Sequence, residues 1–256
     1  MTGSEIMPFV LAGIVLAVSF LLSMFGLGGA QLYVPIFFWL GMSLKSEAIL
    51  LALTINFVTQ TSAFLYYRRK RLVEFKMGIP LVVAAIPMTF LGAHLTYKVP
   101  DHFIALFIGL FLIALGLQRI YKPAVKTIAR TSKKKIALGF LAGGVIGFLI
   151  GLLGIGGGSL VVPTLLLLGL SPKHAAATSA FVTSISTFSG SAAHWKMGTV
   201  PLIIVVVTAL AAIVGSQLGA RFMTKRLPEK LMSVLLGVLL ILIGMVFIVK
   251  EVIFLG

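Results

Sequence analysis

Long apolar runs separated by short polar breaks extend from one end of the chain to the other. Val10–Met24, Ala48–Tyr67, Met77–Tyr97, Phe103–Leu117, Ile136–Leu153, Ala175–Trp195, Val200–Ala220 and Leu231–Val249 are interrupted only by small or mildly polar residues. Most of them approach the ~20 residues that carry a helix across about 30 Å of hydrocarbon. The pattern predicts an all-α polytopic membrane protein. Composition agrees, with 59% hydrophobic and 11% charged residues, more apolar surface than a soluble domain of this length can hide. The N-terminal segment lacks a basic n-region, so no cleaved signal peptide is expected.

The pattern also occurs twice. Residues 26–35 read GLGGAQLYVP, and residues 154–163, 128 positions later, read GIGGGSLVVP. At the same offset Lys45 matches Lys173, Pro100 matches Pro228, Gly109 matches Gly237 and Gly116 matches Gly244. Gly92-Ala93 matches Gly219-Ala220 after a one-residue slip. The chain therefore divides into a first repeat (1–121), a basic linker (122–135) and a second repeat (136–256). Duplicated halves with glycine-broken apolar segments at matching positions point to a secondary transporter and its binding site.

Charge sets the topology. The net charge of +15 is concentrated in three loops, Tyr67–Lys76, Gln118–Lys135 and Arg221–Lys230. Short basic loops of this kind are expected on the cytoplasmic side, which makes 122–135 a cytoplasmic linker. None interleaves basic with aromatic residues, so nucleic acid is not an expected partner. With all three loops inside, Ile136–Gly169 must start and end inside, as a hairpin with glycines at its tip. Ile6–Gly41 is its counterpart, entering from outside. Each repeat is then one Gly-tipped broken-helix hairpin plus three transmembrane helices, and the two are inverted. If the long first arms cross and the short second arms do not, the halves are parallel instead and one basic loop lies outside.

The glycine clusters cannot sustain a continuous helix, since each glycine costs ~1 kcal/mol relative to alanine. They offer unobstructed backbone N–H groups at membrane depth, where such groups need partners in protein or a polar cavity. A short helix is expected to begin at Gln31 and at Ser159, with its first N–H groups unpaired and the positive end of its dipole facing the break. Two such ends meeting from opposite sides suit a small anion. The candidate site is Gly28, Gly29, Ala30 and Gln31 with Gly156, Gly157, Gly158 and Ser159. Scattered glycines such as Gly13, Gly109, Gly116, Gly139 and Gly244 read as helix-packing residues.

Polar side chains inside the spans extend this site. Asn56, the only asparagine in the chain, and Gln60 lie in the first repeat; Thr178, Ser179 and Ser186 lie in the second. Thr183, Ser186, Thr187 and Gly190 share one helix face. The six carboxylates all fall at or near segment ends, so a buried Asp/Glu proton relay is not expected. His194, with Trp195 beside it, is the candidate coupling or gating group, and His94 reads as interfacial. The chain has no cysteine, which excludes disulfides and thiol chemistry, and no cofactor or metal is expected.

The run Gly154-Ile155-Gly156-Gly157-Gly158-Ser159-Leu160-Val161-Val162-Pro163, followed by Gly169-Leu170-Ser171-Pro172-Lys173-His174-Ala175-Ala176-Ala177-Thr178-Ser179, resembles the TauE/SafE family, the sulfite exporter or toluene-sulfonate uptake permeases. Repeat one departs from that pattern at Ala30-Gln31. The resemblance covers nearly the whole chain. It implies a multi-pass protein of a prokaryotic inner (cytoplasmic) membrane that transports small sulfur-containing anions such as sulfite, sulfonates or sulfoacetate, without fixing the direction; export is the expected direction. A passive anion channel and an intramembrane hydrolase, with Ser159 as nucleophile and His174 or His194 as base, are the alternative readings. The sequence carries no signal for an oligomeric state.

Overall fold

A computed structural model of the chain describes residues 3–96, 132–154, 156–195 and 200–226, with isolated positions within 98–120 and 228–248. Most of the basic linker and much of the fourth apolar run of each repeat lie outside the described residues. Eight helices are described: α1 (Gly3–Ser23), α2 (Ala30–Trp39), α3 (Ile49–Arg69), α4 (Phe75–Thr96), α5 (Ser132–Leu153), α6 (Gly158–Leu167), α7 (Pro172–His194) and α8 (Leu202–Arg226). A single π turn, Leu44–Ala48, leads into α3, and the Glu47 carboxylate accepts the Ser43 N–H there at 2.8 Å. No strand occurs among the described residues.

Leu44–Arg69, Phe75–Thr96, Ile136–Leu153 and Leu202–Lys225 are each long and apolar enough to cross a bilayer. The 23-residue α7 stands apart because eight of its residues are serine or threonine. Its hydroxyls turn back onto their own helix: Thr183 donates to the Ser179 carbonyl, Thr187 to Thr183 and Ser189 to Ile185. That bonding satisfies most of the hydroxyls of a polar helix in an apolar bundle, and Ser186 is the buried exception.

Helices α3 and α7 form the centre and run antiparallel. Thr54 meets Ser191 at 2.8 Å, and the rings of Phe57 and Phe188 and of Phe64 and Phe181 pack in tilted pairs. Around this pair the contacts repeat under exchange of the two halves. Helix α1 packs on α8 as α5 packs on α4, α8 flanks α3 as α4 flanks α7, and α2 lies on α3 as α6 lies on α7. The Tyr66 hydroxyl reaches Thr224 at 3.2 Å. Exposed Arg68, Arg69 and Lys70 at the end of α3 therefore share one face of the molecule with Arg221 and Lys225 at the end of α8.

Small residues set the helix spacing. Gly143, Gly147 and Gly151 recur every fourth residue on α5, and a methyl on any of them would strike backbone carbonyls of α4, at Leu81, Ala85 and Thr89. Gly109 and Gly244 likewise oppose each other's carbonyls, as expected of packing glycines, and Gly139 lies in ordinary contact with Pro80 and Leu81. Gly13 departs from that expectation: it is exposed, with nothing within 4 Å of an added methyl. Gly147→Leu is expected to destabilise the protein by about 2 kcal/mol or more through overpacking, read as a lower Tm in detergent. Gly13→Ala should leave Tm unchanged or slightly higher.

The short helices begin at Ala30 and Gly158, one residue before the positions expected from sequence. Gly29 and Gly157 serve as their caps, and the carbonyl of each accepts the first helical N–H groups. Both short helices end alike, 128 residues apart, at Gly41 (φ +94°) and Gly169 (φ +93°). Met42 N–H bonds the Phe37 carbonyl and Leu170 N–H the Leu165 carbonyl. This left-handed stop is one that glycine adopts without a Cβ penalty.

The candidate site between two helix breaks

The breaks at 24–29 and 154–157 meet in the middle of the molecule. A methyl on Gly158 would strike the backbone of Leu27, and one on Gly156 would come within 3.0 Å of the Ala30 methyl. The N-termini of α2 and α6 therefore face a common centre. The first N–H groups of each helix, by position, have no carbonyl in their own helix to bond.

Asn56 of α3 sits between them. Its Oδ1 accepts the Gly29 N–H at 2.6 Å, and because an N–H can only donate, this bond fixes the amide's orientation. The Nδ2 group is thereby turned toward Gly156, where an added methyl would collide with it; a methyl on Gly28 would collide with Oδ1. Nδ2 is buried with no hydrogen-bond partner. One turn along α3, Gln60 Nε2 donates to the Gly26 carbonyl at 3.0 Å and to Thr183 Oγ1 at 2.6 Å, leaving Oε1 buried and unpartnered. Ser179 Oγ donates to the same Gly26 carbonyl at 2.7 Å.

Gln31 and Ser159 occupy equivalent positions, 128 residues apart, each second in its short helix. Both are 1% exposed, and Gln31 Nε2, Gln31 Oε1 and Ser159 Oγ all lack partners. Buried polar groups are rarely left unbonded. Asn56 Nδ2 between the breaks, with Gln31 and Ser159 in the first turns of α2 and α6, leaves donors open to a ligand. Among the described residues no Lys, Arg, Asp or Glu is buried, so the centre is built from neutral donors and helix dipoles.

The remaining residues singled out from the sequence fall in several places. Thr178 is buried, but its hydroxyl accepts the Glu74 N–H at 2.9 Å and so anchors the start of α4. Ser186 is buried with a free hydroxyl, and no hydrogen bond ties it to either break. His194 is buried at the opposite end of α7 from Thr178, and its Nε2 lies 2.8 Å from the Gly151 carbonyl, just before the second break. That carbonyl can only accept, so Nε2 carries the proton. Trp195 is 68% exposed and points away from this centre, and His94 is exposed. Ser159 forms no pair with a histidine: His174 Nδ1 meets Ser171 at 2.8 Å.

Three contributors were absent from the sequence-derived site. The Gly26 carbonyl became visible only through its two side-chain donors. Thr183 had been placed on the polar face of α7 but not at the centre. Tyr33 is buried with its ring against Gly29. Its position one turn into the short helix was the available signal.

Residues 11–247 match the family described as sulfite exporter TauE/SafE. The chain is 29% identical over 247 residues to the probable membrane transporter protein YunE of Bacillus subtilis, covering 87% of this chain and 90% of that one. It is 27% identical over 239 residues to the probable membrane transporter protein MJ0441 of Methanocaldococcus jannaschii, covering 85% and 88%. No solved structure matches it. A match of this extent, on an all-helical chain with several bilayer-length helices, has one meaning: the protein is a member of the TauE/SafE family of membrane transporters.

Proposed function

We propose that this protein is a secondary transporter that exports small sulfur-containing anions, such as sulfite, sulfonates or sulfoacetate, across a prokaryotic inner membrane by alternating access. The observation that carries the reading is the unpartnered Asn56 Nδ2 donor between two facing helix N-termini, each of which has a buried, unpartnered side chain, Gln31 or Ser159, as its second residue. Backbone amides at Ala30, Gln31 and Ser159 supply further donors, and none of these groups brings a fixed charge that would hold an anion too tightly to release. The family's description as sulfite exporters supports the substrate class and the direction.

The inverted arrangement of the halves belongs to the same reading. Helices α3 and α7 are equivalents by duplication yet run antiparallel, which is the relation produced by a two-fold axis lying across both helices. The shared basic face of α3 and α8 fits a cytoplasmic side. Two glycine-tipped hairpins then reach the centre from opposite sides, each backing one gate. Burial of every central side chain fits an occluded state better than an open channel.

Counterflow in proteoliposomes tests this. Saturable uptake of labelled sulfite or methanesulfonate, accelerated by unlabelled sulfur anion on the far side and unaffected by acetate, is the expected result. Flux that rises linearly without saturation or trans-acceleration would favour a passive channel. Absence of flux for every sulfur anion would remove the substrate assignment.

A further inference from the structure

We propose that the centre selects the charge of the head group it holds, taking tetrahedral or pyramidal head groups with a single negative charge, namely hydrogen sulfite and sulfonates, over doubly charged ones such as sulfate or fully ionised sulfite. The inference rests on the reading of the two breaks as the binding site.

The argument is one of charge balance in a buried place. Each helix N-terminus is equivalent to roughly half a positive charge, so the ends of α2 and α6 together offset about one negative charge. The α2 end is already partly used, since Asn56 Oδ1 accepts the Gly29 N–H. The other donors, Asn56 Nδ2, Gln31 Nε2 and Ser159 Oγ, are neutral and orient the head group without adding charge. The cations near the ends of α3 and α8, Arg68, Arg69, Lys70, Arg71, Arg221 and Lys225, are exposed to solvent. Among the described residues no Lys or Arg is buried, so a second negative charge at the centre would be stripped of water without a counter-charge from them, which is strongly unfavourable.

One acceptor points the same way. Gln60 Oε1, its amide oriented by the two bonds of Nε2, is buried without a donor. A fully ionised oxyanion can only repel it. The proton of hydrogen sulfite, or the methyl of a sulfonate, can face it. The site thus matches an anion with one charged side and one protonated or capped side.

The test compares methanesulfonate with sulfate, near-identical tetrahedra differing by one charge, by calorimetric titration into the purified full-length protein at one pH. Methanesulfonate is expected to bind about tenfold or more tightly, or ~1.4 kcal/mol. Sulfate binding equally or more tightly overturns the inference while leaving sulfur-anion transport standing. Sulfite is then titrated across its second ionisation, near neutral pH, each affinity divided by that of methanesulfonate at the same pH. The division removes any pH dependence that the protein itself imposes on both ligands alike. The ratio is expected to fall as pH rises, and a constant ratio overturns the inference. Binding of none of the three would instead sink the site reading itself, and this inference with it.

Discussion

Replacing Asn56 with aspartate is expected to abolish sulfur-anion transport while leaving the protein folded and inserted. The two side chains have the same shape. The oxygen that accepts the Gly29 N–H stays in place, and a carboxylate at the start of α2 is a better partner for that N–H and for the helix dipole than an amide. What changes is the other arm. The Nδ2 donor facing Gly156 becomes a carboxylate oxygen, and the protein's own negative charge now occupies the centre that two helix N-termini make. An entering anion meets repulsion where it had met a donor. Affinity should fall by about 100-fold or more, or ~2.7 kcal/mol, with Tm in detergent within a few degrees of the parent. Asn56→Ala provides the contrast, since it removes both arms and should lose ~1 kcal/mol of stability through the missing cap as well as transport. Undiminished counterflow in the aspartate variant would show that the anion passes elsewhere.

The second large effect belongs to the glycines that let the breaks touch. In Gly158→Ala the new methyl meets the Leu27 carbonyl, which is backbone and cannot swing aside, so the two breaks must separate. Both stability and transport should suffer, the first by about 1–3 kcal/mol. In Gly156→Ala the methyl meets the Asn56 amide, a side chain, so the strain falls on the orientation of Nδ2 and not on the main chain. Flux should drop by about an order of magnitude or more with a smaller loss of Tm, on the reasoning that small displacements of a positioned donor are felt strongly. Equal Tm losses in the two variants, or full transport in Gly156→Ala, would contradict this account of the centre.

Much of this architecture is legible in the chain because it depends on periodic or repeated features. Bilayer-length helices follow from run length, and the paired breaks follow from GLGG and GIGG at a fixed offset. Equivalent stops at Gly41 and Gly169 follow from the same offset, once one knows that a left-handed residue is needed there. Asn56 stood out as a lone amide among apolar neighbours. Its orientation did not, because the Gly29 N–H that sets it lies 27 residues away. The meeting of Gly158 with Leu27, and of Gln60 with Thr183, joins residues more than 100 positions apart, and no local pattern encodes such a pairing. Thr178 shows a second use of such polarity: a hydroxyl beside a glycine-rich hairpin looks like a ligand, and it also accepts the Glu74 N–H that anchors α4. The same polarity suits both uses, and only the partner tells them apart. His194 and Trp195 are neighbours in sequence but not in environment, since α7 ends between them.

The hydroxyl-rich character of α7 bears on how the protein is made. A segment with eight serines and threonines in 23 residues is a poor candidate for leaving the insertion machinery unaided. Its hydroxyls are quieted by its own carbonyls only once it is helical, and its polar face is covered by α3, the start of α4 and the first break, all synthesised about 100 residues or more earlier. Helix α3 must therefore wait in the bilayer with Gln60 uncovered until its partner arrives. The first break is likewise untied at Gly26 until Ser179 and Gln60 close on its carbonyl from both sides. A ribosome stalled before α7 would leave behind a chain that is inserted but has no transport centre, a product suited to membrane quality control.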